Sequence, residues 1–230
     1  MRIARRLFMY VLGLFFLALG VAFSISSDLG VSPVNSLPYA TSLVSGLPMS
    51  VCVPTIFGVY ILLQIIILRR DYKWKNLLQL PFSFLFGYLT DFTKYIFRFL
   101  VAGNYVIQLA FLVVSICCVG LGLVFYLSAN LVPMPMEGLT LAISAKFPKI
   151  KFHNLKISAD CASVLLAVVI TFVFSGHSQG VREGTVLTAI AVGKVMAVID
   201  KMIGKYTRSF CMSEDVKDRS VKSSKVNSIE

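Results

Sequence analysis

The sequence predicts an all-α polytopic membrane protein of six transmembrane helices, arranged as an inverted 3+3 repeat with two interrupted, re-entrant short helices. Four observations carry that prediction. The chain of 230 residues is 57% hydrophobic and 14% charged, with a mean hydropathy of +0.81. Its charges fall in short runs between apolar segments of about twenty residues, the length a helix needs to cross a hydrocarbon core of about 30 Å. A shift of 102 positions lays residues 19–42 on residues 121–144 with identity at nine of twenty-four positions, Pro33 falling on Pro135. Finally, Lys and Arg concentrate in alternate loops, as the positive-inside rule requires of a multi-pass protein.

The elements follow in order. Arg2, Arg5 and Arg6 precede an apolar run from Leu7 to Ser26. A basic start before an apolar core also describes a cleaved signal peptide. The repeat argues for a retained span, because the equivalent segment lies mid-chain. Residues 28–46 hold Pro33 and Pro38 and no Lys or Arg; they read as an opened stretch followed by a short helix over Ser36–Val44, since proline removes a donor and biases its predecessor away from helix. Ser50–Leu68 is the second span, the run Arg69–Lys75 is a basic turn, and Leu77–Phe97 is the third span with Gly87 and Asp91. Gly103 and Asn104 punctuate the chain. The second half repeats the order: a span over Tyr105–Ala129, an opening and a short helix within Asn130–Phe147, and spans over Leu155–Phe174 and Gly184–Ile203.

Basic residues cluster in residues 1–6, 69–75 and 146–156 and after Lys201, whereas the alternate loops have Lys94, Arg98 and Arg182. Both termini are therefore expected in the cytoplasm. Each half has an odd number of spans, so the second half is expected upside down relative to the first. The expected organisation is residues 1–103 as the first three-helix repeat, 104–203 as its inverted copy, and 204–230 as a disordered basic cytoplasmic tail, too poor in apolar residues to fold.

Paired interrupted segments in inverted repeats point to a transporter-type site at the bilayer midplane. A broken helix leaves N–H and C=O groups that hydrocarbon cannot satisfy, so they persist where protein or a watered cavity meets them. Glu137 is the leading candidate side chain, because a carboxylate within a membrane costs about 3 kcal/mol and is retained facing a cavity, a partner or a proton. Its repeat mate is the neutral Asn35. Ser32 and Ser36 would add hydroxyls, and Gly30 and Gly138 would let a backbone or ligand approach. A second reading of Glu137 stays open: pairing with a lysine of the Lys146–Lys156 loop. Asp160 is a secondary candidate, with Lys156 one turn earlier as an alternative partner. Asp91 is expected to pair with Lys94 at i+3. Lys194 would pair with a buried acid or snorkel.

A net charge of +11 raises a nucleic-acid reading, but the cations flank apolar segments, and no nucleic-acid partner is expected. The expected partners are the lipid bilayer and a small solute or ion, with a homodimer as a further arrangement. Cys52, Cys117, Cys118, Cys161 and Cys211 contain no C-x-x-C pair, and four of them lie in apolar runs, so neither a disulfide framework nor a zinc site is indicated. No nucleophile elbow, zinc-protease helix or phosphate loop is present. No enzymatic activity, cofactor or metal is expected.

The turn Asp28-Leu29-Gly30-Val31-Ser32-Pro33, the turn Pro135-Met136-Glu137-Gly138-Leu139 and the start Gly184-Thr185-Val186-Leu187 of the last span resemble the YczE/YitT group of small bacterial integral membrane proteins. The resemblance covers about residues 7–203. It implies a multi-pass protein of the bacterial plasma membrane and brings no site residues with it. The functional expectation is a small-solute secondary transporter, proton- or cation-coupled, with its site between the two opened segments. The alternative is a non-transporting membrane factor that supports assembly or regulation of a partner protein.

Overall fold

A computed structural model describes residues 2–100, 102–147, 152–176 and 180–212. Among these residues there are eight α-helices and no strand: α1 (Arg2–Ser27), α2 (Pro33–Ser45), α3 (Met49–Leu68), α4 (Gln79–Ile96), α5 (Tyr105–Ala129), α6 (Pro135–Lys146), α7 (Phe152–Ser175) and α8 (Glu183–Met212). Two 3₁₀ turns, Arg69–Asp71 and Trp74–Leu78, join α3 to α4. Four helical stretches are long and apolar enough to cross a membrane: Ile3–Ser27, Met49–Asp71, Tyr105–Ala129 and Asn154–Ser175. Helices α4 and α8, which the sequence reading also counts as spans, fall outside that set. The shorter α4 carries Asp91 and Lys94, and α8 carries Glu183, Lys194, Asp200 and Lys201.

The bundle is built around an antiparallel pair, α1 and α5. Its close approach comes from residues without side-chain bulk. A Cβ on Gly122 would lie 2.8 Å from the Gly13 carbonyl oxygen and the Leu17 nitrogen, and one on Gly20 would lie 3.1 Å from the Ser115 oxygen and the Val119 nitrogen. Small residues at such an interface let two backbones touch, which drives helix association where lipid offers no hydrophobic contrast. The Ser115 hydroxyl donates to the Gly20 carbonyl at 2.7 Å, so this polar side chain in the seam is satisfied. Around this pair, α4 packs on α1 and α8 on α5, while each short helix packs between the long helices α3 and α7. The core holds Tyr10, Leu14, Met49, Phe57, Phe86, Tyr126 and Met136, all essentially inaccessible. Leu62, Phe84, Val113, Leu165 and Val186 lie exposed on the outside, the outward apolar faces that hydrocarbon requires.

Several boundaries differ from the sequence expectation for identifiable reasons. The short helices begin at Pro33 and Pro135, the first of them three residues before the expected Ser36. Proline breaks a helix interior but suits its first position, where φ is pre-set and the missing N–H has no intrahelical acceptor. The last helix continues past Gly204 to Met212. Residues 204–212 are ordered by tertiary contacts: Thr207 shares a 2.8 Å hydrogen bond with Ser128, Cys211 is buried, and the Arg5 guanidinium stands over the Phe210 ring. The rest of the expected tail lies outside the described residues, as do the side chains of His153 and His177.

Candidate functional site

Both openings follow the same plan. Helix α1 ends at Ser27 and α5 at Ala129, and each is followed by a non-glycine residue in the left-handed region, Asp28 at φ 54° and Asn130 at φ 46°. Asp and Asn tolerate that conformation best among non-glycine residues, which makes them suitable stops. Each terminus exposes carbonyls that need donors, and an arginine from a distant helix end supplies them. Arg6 donates to the Ala129 oxygen at 2.7 Å and also to the Asn130 oxygen. Arg182 donates to the Asp28 oxygen at 2.8 Å and pairs with the Asp28 carboxylate at 3.2 Å.

The second opening is lined by side chains. Tyr10 donates to the Val132 oxygen at 3.2 Å, and the Met134 amide donates to the Tyr126 hydroxyl at 3.3 Å. Tyr126 in turn donates to the Glu137 carboxylate. Glu137 is the third residue of α6, where a carboxylate meets the positive end of the helix dipole. The rings of Tyr10 and Tyr126 meet edge to face at 5.5 Å. Behind Gly138 lies a wholly buried amide pair: Gln64 Nε2 donates to Gln79 Oε1 and to the Pro135 oxygen, both at 3.0 Å, and Gln79 Nε2 returns a bond at 3.4 Å. A Cβ on Gly138 would stand 2.8 Å from both amides, so this position needs glycine for the approach of Gln64 and Gln79.

The first opening is closed by backbone instead. The Val31 amide donates to the Gly180 oxygen at 3.0 Å and the Gly184 amide to the Leu29 oxygen at 2.8 Å. Ser24, the repeat mate of Tyr126, donates to the Gly30 oxygen at 2.8 Å. Gly30, at φ 102°, sits where a Cβ would collide with Thr185 and the Arg182 nitrogen. Beyond it, Ser36 donates to the Ser32 carbonyl at 3.1 Å and Asn35 Nδ2 to the Ser32 hydroxyl at 3.0 Å. The buried Asn35 Oδ1 has no hydrogen-bond donor.

The two opened segments are set apart in the structure. The openings sit at opposite ends of the α1–α5 pair, beside Arg6 and beside Asp28, about 33 Å apart along α1 at about 1.5 Å per residue. Among the described residues, no hydrogen bond or ion pair joins the Ser32–Asn35–Ser36 group to the Glu137 group. Several of the opened backbone groups are taken up by protein partners: the carbonyls of Asp28, Leu29, Gly30, Asn130 and Val132 and the amides of Val31 and Met134. Glu137 has a tyrosine rather than a lysine as its partner among the described residues. Asp160 pairs with Lys156 at 2.8 Å, the alternative the i,i+4 spacing allowed, and this pair lies within electrostatic range of Glu137. Asp91 does not pair with Lys94. Its carboxylate accepts the Met49 amide at 2.9 Å and the Ser50 amide at 2.7 Å, capping α3 from a neighbouring helix. Lys194 is exposed.

Sequence reasoning missed Gln64, Gln79, Tyr10 and Tyr126. Gln64 carried a usable signal: it is the one strongly polar side chain in the apolar run Val51–Leu68, and an isolated amide there needs a partner in the bundle. Among the described residues no cluster of three His, Cys, Asp or Glu residues could hold a metal ion.

No curated protein and no solved structure matches the chain. Residues 4–201 match the profile of DUF6198, described as a family of unknown function, rather than one carrying the YczE/YitT name. That match spans all eight helices apart from the first two residues of α1 and the end of α8, so the chain, a helical protein of membrane type, belongs to the DUF6198 family.

Proposed function

We propose that this protein is a small-solute secondary transporter of the bacterial plasma membrane. It has six spans inserted as an inverted 3+3 repeat, both termini in the cytoplasm, and Glu137 as the acid that binds the solute or its coupling ion. The observation that supports the reading is a set of contacts and helix boundaries related by a shift of 102 residues. Gly20 approaches Ser115 and Val119, and its mate Gly122 approaches Gly13 and Leu17, which are the residues 102 positions before Ser115 and Val119. The helix ends at Ser27 and Ala129, the left-handed Asp28 and Asn130, and the starts at Pro33 and Pro135 obey the same shift. Two halves related in this antiparallel way support alternating access, in which each half takes the other's conformation in turn. On this reading the openings are the two ends of one path.

Glu137 fits the acid's role because its carboxylate is held by a neutral hydroxyl, with the Lys156–Asp160 pair nearby to respond to its charge. The similarity of the two turns to the YczE/YitT group is compatible with the location and adds no substrate. One observation favours the other class, a non-transporting assembly or regulatory factor: several backbone groups of both openings bond to protein partners, as in a purely structural break.

The test is a thermal-stability screen of the purified protein in detergent against small metabolites and ions at two pH values, repeated on Glu137→Gln. A ligand at a hundredfold excess over Kd stabilises the native state by about 2.7 kcal/mol, or about 5–10 °C for a chain of this size. A solute that stabilises the wild type and not Glu137→Gln is the expected result. No response across the panel, with both proteins alike, would overturn the transport reading in favour of the assembly factor.

A further inference from the structure

A second polar feature lies away from Glu137. At the Asp28 end of the bundle, the end of α1, the end of α4 and the start of α5 enclose a cleft of about 430 Å³ that includes Ser26, Asp28, Lys94, Arg98 and Gln108. That volume lies in the range of small-ligand sites. Its charges are unbalanced. The Asp28 carboxylate is taken by Arg182. Lys94 and Arg98, one helical turn apart, meet no carboxylate among the described residues; each stands over an aromatic ring, Lys94 at 5.9 Å from the Tyr39 centroid and Arg98 at 4.8 Å from that of Tyr95. The Ser26 hydroxyl and the Gln108 amide make no side-chain hydrogen bond among the described residues. Two cations and two neutral polar groups thus border one space, and their side-chain donors are not committed to protein acceptors.

The other end of the bundle supplies an internal comparison. Moving Ala22, Ile25, Ser26 and Asp28 by 102 positions and Lys94 by 106 gives Val124, Leu127, Ser128, Asn130 and Asp200. All five border a second cleft, of about 240 Å³. There the position of Lys94 holds an acid, and Arg208 closes it at 3.1 Å. The same place in the two halves is therefore neutralised internally at one end and left cationic at the other. Like charges one turn apart repel. Lys94, in the last turn of α4, and Arg98, just beyond it, also lie at the end where the charge rule disfavours cations, so topology does not account for them.

The geometry points to an oxyanion site at the Asp28 end, in which Lys94 and Arg98 bind a phosphate group with Ser26 and Gln108 as further donors. Charge-assisted, forked recognition of this kind is what arginine provides for phosphate. The group could come from a free solute or from an anionic lipid headgroup, and the chemistry of recognition is the same. The inference does not rest on Glu137, which belongs to the opposite opening.

The experiment uses the full chain in neutral detergent at constant ionic strength. One arm titrates inorganic phosphate; the other adds phosphatidylglycerol or, as control, phosphatidylcholine to the micelles; the melting temperature is read in both. The wild type is expected to rise with phosphate, which assigns a solute site, or with phosphatidylglycerol alone, which assigns a headgroup site. The paired substitution Lys94→Gln with Arg98→Gln is expected to weaken the response at least tenfold in apparent affinity. Each single substitution should weaken it at least threefold and keeps the test alive if the pair does not fold. Lys194→Gln, on an exposed cation of α8, should change it less than twofold. No rise in either arm, an unchanged response in the Lys94 and Arg98 variants, or an equal loss in Lys194→Gln would overturn the site.

Discussion

Removing the carboxylate of Asp91 should destabilise the protein through α3, a helix other than its own. Helix α3 follows Pro48, which makes no side-chain cap, so its first amides depend on the neighbouring helix. Gly87 brings α4 close enough for this: a Cβ there would lie 2.8 Å from the Ser50 Cα. Asp91, one turn further along, takes the Met49 and Ser50 amides at 2.9 and 2.7 Å. Hydrogen bonds to a charged group contribute about 1.5–3 kcal/mol each, and loss of an N-cap costs about 0.5–2 kcal/mol. Water can reach the partly buried Ser50, so we set Asp91→Ala at about 2–3 kcal/mol. At about 2–4 °C per kcal/mol for a chain of this length, the melting temperature should fall by about 4–12 °C. Asp91→Asn keeps one acceptor and should fall by roughly half as much. The assay is the fraction of monodisperse protein surviving graded heating in detergent, a measure that tolerates irreversible unfolding. Lys94→Gln is the decisive comparison, because an exposed i+3 ion pair would be worth about 0–1 kcal/mol. If Asp91→Ala moves the midpoint no more than Lys94→Gln does, the capping account is refuted.

Two other predictions concern packing. Gly122→Ala places a methyl group against the Gly13 and Leu17 backbone and should cost about 1–3 kcal/mol, whereas Gly193→Ala, with nothing within 4 Å of its Cβ, should be neutral or stabilise by up to about 1 kcal/mol; the same heating assay ranks them. Gln64→Leu strands the Gln79 amide and the Pro135 carbonyl and should cost about 1–3 kcal/mol. Adding Gln79→Leu should recover part of that loss in a double-mutant cycle, since replacing both members of a buried pair removes the orphan that a single replacement leaves.

What could be read from the sequence was the part governed by local chemistry. Helix α5 was placed to the residue, because Asn104 announces its start, with its side chain accepting from Ile107 at 2.9 Å, and Asn130 announces its end. The Lys156–Asp160 pair was visible in i,i+4 spacing. What could not be read were interactions between residues far apart in the chain: Arg6 on the carbonyls of Ala129 and Asn130, Arg182 on Asp28, Asp91 on the start of α3. Each appears in the sequence as an unexplained charge beside an apolar run. The candidate site was legible as a carboxylate in an opened segment, and its surroundings were not. Tyr126 and Tyr10 look like ordinary apolar residues until α1 and α5 are set antiparallel. The same arrangement separates the two openings, which the repeat alone invited us to place face to face.

The most direct test of the inverted architecture, on which the transport reading rests, is the sidedness of the two openings. In a background lacking the five native cysteines, Asp28→Cys and Asn130→Cys would each be exposed to a membrane-impermeant maleimide in intact cells and after permeabilisation. Both positions are exposed in the structure. The account predicts that Asp28→Cys is labelled in intact cells and Asn130→Cys after permeabilisation alone. Labelling of both from the same side would contradict it.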